Sequence, residues 1–239
     1  MIAFKDFLVE LKISLEYHDE LNPVLWENNK LRPNVRNALL KFADTWRDYV
    51  NIPKMWIEDI IMVGGNANYN YTSKSDIDVH IIINRSNIGD DPKLVDDYLQ
   101  DKKTIWTLTH DIKILGYPVE PYVQDIKTKF TKGQGVYSLK DDKWLQEPHH
   151  GNYDFKNDKH LKIKLQHYMH VIDHMIKNKM STDHFENFKT KFRNMRGAAI
   201  QKGGEFSLEN LVFKELRNRG YLDKMTKYEK SEQDKSLSI

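Results

Sequence analysis

The chain has 239 residues, 39% of them hydrophobic and 30% charged, with a formal net charge of +2, which allows one substantial core or two small domains. It contains no cysteine, so disulfides and thiolate zinc sites are excluded and any metal must be held by carboxylates, histidines or backbone oxygens. No window approaches the roughly 18 apolar residues of a membrane span, and "MIAFKDFLVELKI" is too broken by charge to be a signal peptide's apolar region, so an intracellular, cytoplasmic protein is expected.

In chain order, Phe4, Phe7, Leu8, Leu11 and Leu15 recur at helical spacing. After Pro33, a good first-turn residue, Val35, Ala38, Leu39, Phe42 and Trp46 do the same, so two amphipathic helices are expected at the start. "DIIMVGG" reads as a short buried strand ended by Gly64 and Gly65, and "IDVHIIIN" as a second, with the polar segment 66–75 between them. "DPKLVDDYLQDKKTIWTLTHDIKILG" is helical to about Trp106. "YPVEPYVQDI" alternates as a third strand, and Pro121 argues for an edge position or a bulge there. "GQGVYSLKDDKWLQEP" reads as a hairpin.

From Lys159 the pattern stays helical. Leu161, Leu165, Tyr168, Ile172 and Met175 mark one helix, and Phe185, Phe188, Phe192 and Met195 a second that stops at Gly203-Gly204. Ser207 caps a third, whose apolar face is Leu208, Leu211, Val212 and Leu216. The polar, lysine-rich residues 226–239 are expected to be a disordered tail. The expected domains are therefore residues 1–150, with the strands, and residues 151–225, helical.

Charge follows the same division. Residues 1–155 carry 19 Lys/Arg against 24 Asp/Glu, and residues 156–230 carry 17 against 9. A basic half suits a phosphate-rich partner, and equally describes a solvated helical surface. Lys214 and Arg217, three apart and away from the leucine face, are candidate phosphate or acceptor contacts, as are Arg193, Arg196 and Arg219.

The chemistry concentrates in "VGGNANYNYTSKSDIDVHI". Alternate residues of a strand share a face, so Asp76 and Asp78 present both carboxylates together while Ile77, Val79 and Ile81 face the other way. Two acids so close repel each other unless a cation lies between them, and hard oxygen ligands favour magnesium, which commonly takes its remaining ligands from substrate phosphates. Gly64 and Gly65 allow close backbone approach, and turned N–H groups at such a strand end suit an anion. Donors follow in Asn66, Asn68, Thr72, Ser73 and Ser75. A lone D-x-D is common as solvated edge charge; the double glycine at this distance and the apolar strands on both sides separate this one from that background. Tyr69 and Tyr71 either stack on a base or fix the loop. His80 shares the aspartates' face, and His167, His170 and His174 share a helix without an identifiable acidic partner.

This stretch resembles the signature of the DNA polymerase β-like nucleotidyltransferase superfamily: an apolar residue, Gly, Gly or Ser, about ten residues, then Asp, an apolar residue and an acid in a strand. The resemblance covers residues 58–126. "GVYSL" and "ENLVFKELR" also resemble features of nucleotidyltransferase-like proteins of bacteriophages, which would place the chain in a host's cytoplasm. The family implies an α+β fold with a mixed sheet flanked by helices, here followed by a helical C-terminal domain. It also implies two magnesium or manganese ions on three carboxylates, with ATP or another NTP as substrate. Asp76 and Asp78 match the first two carboxylates. Glu120 is the candidate third, with Asp125 and then Asp111 as alternatives. Gly64, Gly65, Asn66, Ser73 and Ser75 are the candidate phosphate contacts. The implied reaction moves a nucleoside monophosphate to a hydroxyl of RNA, a nucleotide, a small molecule or a protein, with release of pyrophosphate. The alternative is a catalytically silent binding module of the same fold.

Overall fold

The computed structural model describes residues 11–238. They fall into two units, one formed by residues 17–151 and the other by residues 11–16 together with residues 152–238.

The first unit holds a mixed sheet. A two-residue hairpin, β1 (Trp26–Glu27) and β2 (Lys30–Leu31), turns through Asn28 and Asn29, both at positive φ as such tight turns require. Helix α1 (Pro33–Tyr49) begins at Pro33 and buries Val35, Leu39, Phe42, Ala43 and Trp46. Then come β3 (Ile57–Val63), β4 (Ile77–Ile83), α2 (Pro92–Thr109), β5 (Lys113–Ile114), β6 (Tyr117–Asp125), β7 (Val136–Ser138) and β8 (Lys143–Gln146). The sheet order is β5-β6-β4-β3-β7-β8, and β4 with β6 is its one parallel pair. The expected strands and the hairpin are all present.

Pro121 fits where it stands. The Val119 N–H donates outward to Ile112, at 3.0 Å, and the nitrogen two residues on faces the same side. Beyond Pro118 no strand among the described residues pairs on that side, so a missing donor costs nothing there.

The core sets which way the site points. Ile77, Val79, Ile81 and Ile83 are buried with Val119, with Leu39, Phe42 and Trp46 of α1 and with Trp106 of α2. Each such side chain contributes about 1.5–3 kcal/mol by leaving water. A one-residue slip of β4 would bury Asp78 and expose the isoleucines, so this apolar face also fixes the register of the acids.

The second unit is helical: α3 (Lys159–Lys177), α4 (Thr182–Gly203), α5 (Leu208–Asn218) and α6 (Tyr221–Leu237). Asp158 caps α3 by accepting from the His160 and Leu161 N–H groups. Its core includes Leu161, Leu165, Phe185, Phe192, Val212 and Leu216. Ser207 stands at the N-cap of α5 without a side-chain capping bond.

Three expectations are corrected. Phe4, Phe7 and Leu8 lie outside the described residues, but Leu11 and Leu15 are not helical: Leu11, Ile13 and Leu15 are buried in alternation along an extended segment. That segment counts with the helices, not with the sheet as the 1–150 division supposed. Glu215 holds it by accepting from the Ser14 and Leu15 N–H groups at 2.6 and 2.8 Å. Residues 226–237 are helical rather than disordered, because Met225 is buried, Tyr228 packs on Phe185 at 4.9 Å and Glu229 pairs with Lys189 at 2.8 Å. Among the described residues no helix is long and apolar enough to cross a membrane.

Candidate metal centre

The parallel register of β4 and β6 sets Asp78 beside Glu120, His80 beside Tyr122 and Ile82 beside Gln124. Asp76, Asp78 and Glu120 thereby offer carboxylate oxygens that all lie within 4.8 Å of one another. This is the one group of three or more acids or histidines so placed among the described residues. The donor set, three half-buried carboxylates, fits a hard divalent cation.

Glu120 is the carboxylate that joins the two aspartates. Asp125 sits at the far end of β6 and accepts from the Arg85 and Lys127 N–H groups, while Asp111 pairs with Lys113 at 2.8 Å. Those N–H groups hold the Asp125 carboxyl below the usual carboxylate range.

Two further side chains meet Glu120. The Tyr122 hydroxyl donates to its Oε2 at 3.1 Å, and Lys103 of α2 donates to the same oxygen at 2.9 Å. Burial, and then the charges of Asp78 and Glu120, push the Tyr122 phenol far above its ordinary value, so it stays a proton donor. Neither residue stands out in the sequence: Lys103 is one of a lysine pair in a charged helix, and Tyr122 reads as an ordinary strand aromatic. His80, on the same face, lies with Nδ1 2.7 Å from Gln124 Oε1, and burial pushes it down to about 4. It is therefore neutral at physiological pH, with Nδ1–H donating to the Gln124 oxygen.

Gly64 ends β3 at φ 84° and ψ −166°, a conformation essentially confined to glycine. A Cβ there would collide with Asp78 Oδ2 and lie 2.9 Å from its Cγ, so the bare backbone is what lets the strand end approach the carboxylate. Gly65 similarly lies against Ser75, whose Oγ a Cβ would meet at 2.9 Å.

The loop donors divide. Asn66 is buried, donating to Asp76 O at 2.9 Å and accepting from the Asn22 amide at 2.9 Å, so it holds the chain entering the D-x-D and is spent as a phosphate donor. Asn68 is spent likewise, donating to Gly64 O and accepting from the Gly135 N–H. Ser75 is buried and its Oγ accepts from the Thr72 N–H, whereas Ser73 is exposed. Tyr69 and Tyr71 fix the loop, against His150 and stacked on His18 with ring centroids 4.6 and 4.0 Å apart. Asn66→Ala should lower stability by about 1–3 kcal/mol, because it strands buried partners. Urea denaturation checks this, and a change within experimental error would show that the amide is dispensable.

In the helical unit, the candidate contact Lys214 pairs with Glu205, with side chains 15% and 14% exposed. Arg217 is exposed. Arg196 donates to Asn210 Oδ1 at 2.8 Å and Arg219 pairs with Glu215, also at 2.8 Å. His167, His170 and His174 form no cation site; the rings of His170 and His174 are 6.3 Å apart and His174 meets the Asn178 amide.

No protein-family model, curated protein or solved structure matches the chain.

Proposed function

We propose that the chain is a divalent-metal-dependent nucleotidyltransferase, transferring a nucleoside monophosphate from an NTP to an acceptor hydroxyl with release of pyrophosphate. The observation that carries this reading is the convergence of Asp76, just before β4, with Asp78 on β4 and Glu120 on the parallel β6, their carboxylate oxygens within 4.8 Å. A glycine turn whose backbone closes on Asp78 supports it, as does the order of strands: an antiparallel pair β3–β4 and then β6 parallel to β4. The polymerase β-like resemblance implies a mixed sheet flanked by helices with three carboxylates, the third on a neighbouring later strand.

Asp76, Asp78 and Glu120 would hold magnesium or manganese. When bound, such ions neutralise phosphate charge and lower the pKa of an attacking hydroxyl. The chain's own contribution is placement: the β4 register aims Asp78, Asn66 anchors the entry to Asp76, and Tyr122 and Lys103 orient Glu120. Gly64, Gly65 and exposed Ser73 are the phosphate contacts that remain once Asn66 is assigned to the loop's interior.

Among acceptors, the basic second half favours RNA or a nucleotide over an uncharged molecule, although Lys164, Lys189, Lys214 and Arg219 are already paired with acids. Calorimetry with each NTP tests the reading. Binding should require magnesium and vanish in Asp76→Ala with Asp78→Ala. Magnesium-independent binding that survives both substitutions would favour the silent module.

A further inference from the structure

Two residues that carry buried, unpartnered N–H donors line one cavity. The space, about 370 Å³, lies between α2 and β6, and Trp46 of α1 and Arg85, which follows β4, complete its lining. Trp46 is 1% exposed, and its Nε1–H has no hydrogen-bond partner among the described residues. Arg85 pairs with Asp96 through Nη2, but its Nε–H is likewise buried and unpartnered. A donor left so costs about 1–3 kcal/mol, and two around one cavity mark a place for acceptor atoms.

The other lining residues narrow the chemistry. Arg85 already has an acid beside it and Asp97 adds a second negative charge, which disfavours an anion. Lys103 also lines the cavity, but its ammonium donates to Glu120 Oε2 at 2.9 Å. The donors therefore call for neutral oxygen acceptors, beside the apolar surfaces of Leu99, Val123, Pro121 and Tyr122. The volume is near the small end of ligand sites, which suits a single ring better than a whole nucleotide.

We propose that this cavity binds a small neutral ring bearing carbonyl oxygens, which accept from Trp46 Nε1 and Arg85 Nε. The site goes beyond the nucleotidyltransferase reading and needs no metal. Lys103 and Tyr122 line the cavity and also orient Glu120, so an occupant packs against the side chains that place the third carboxylate.

Uracil, which has ring carbonyls, and adenine, which has none, are the probes, added to the full chain without metal or nucleotide. In nitrogen-proton correlation spectra the indole N–H signal of Trp46 should shift saturably with uracil and stay in place with adenine. In equilibrium dialysis with labelled uracil, Trp46→Phe should bind about 10-fold more weakly, the worth of one such hydrogen bond. Arg85→Lys, which keeps a charge for Asp96 and removes the Nε–H, should lose as much, and it carries the test if the core variant Trp46→Phe fails to fold. No saturable shift with uracil, an equal shift with adenine, a shift with benzoate alone, or undiminished uracil binding by Arg85→Lys would overturn the proposal and leave the metal-site reading untouched.

Discussion

Gly64→Ala is expected to yield a folded protein whose manganese affinity is reduced by about 10–100-fold, the usual cost of disturbing what orients a metal ligand. Two effects combine at this position. The backbone, at φ 84° and ψ −166°, lies where a residue other than glycine is strained by roughly 1–3 kcal/mol. The new methyl group would also collide with Asp78 Oδ2, so the carboxylate must leave its present position. Gly116→Ala supplies the control, because Gly116 has φ 89° but nothing within 4 Å of an added Cβ. It should lose a similar share of stability and keep its metal. Circular dichroism and manganese titration separate the two outcomes. Equal affinities in both variants would mean that the approach of Gly64 to Asp78 has no part in metal binding.

Glu215→Ala should have the largest effect on stability. The side chain is fully buried at 0% exposure. Its Oε1 accepts from Ser14 N, Ser14 Oγ and Leu15 N at 2.6, 2.7 and 2.8 Å, and its Oε2 pairs with Arg219 Nε at 2.8 Å. Arg219 also donates to Lys12 O. One carboxylate therefore ties residues 12–15 to α5, and removing it strands an arginine and two backbone donors together. Breaking such a buried pair costs about 3–5 kcal/mol, a large share of the ~5–15 kcal/mol that stabilises a typical domain. Glu215→Gln keeps an acceptor oxygen and should lose only about 1–3 kcal/mol. Urea denaturation followed through the helical signal measures both. A loss below about 0.5 kcal/mol for the alanine variant would contradict this account of how residues 11–16 are held.

What was legible beforehand follows from what each pattern can encode. Period-two alternation places Asp76 and Asp78 on one face, and Glu120 is the acid early in the strand-like run after the intervening helix, where the resemblance implies a third carboxylate. The N-terminal segment misleads because Leu11 and Leu15 satisfy both periods; Ile13, between them, is the residue that favours the extended form. The last helix is hidden by its lysines, since only Met225 among its residues is buried and a single apolar contact sets no period. Lys103, Asn66 and Glu215 are least legible of all. Each is a polar residue whose importance comes from a partner 9 to 201 positions away, and nothing local marks such a pairing. Asn28-Asn29 is a different case: paired asparagines tolerate positive φ and so mark a tight turn in the sequence itself.

The most direct measurement of the central claim is transfer of label from α-labelled NTPs into cell-extract components, with magnesium present, by the wild type and by Asp76→Ala with Asp78→Ala. Label should enter one class of molecule with the wild type, release pyrophosphate in step, and disappear with the double variant or with chelator. Equal labelling by a folded double variant, or tight NTP binding with neither labelling nor pyrophosphate release in any extract, would contradict a nucleotidyltransferase built on these three carboxylates.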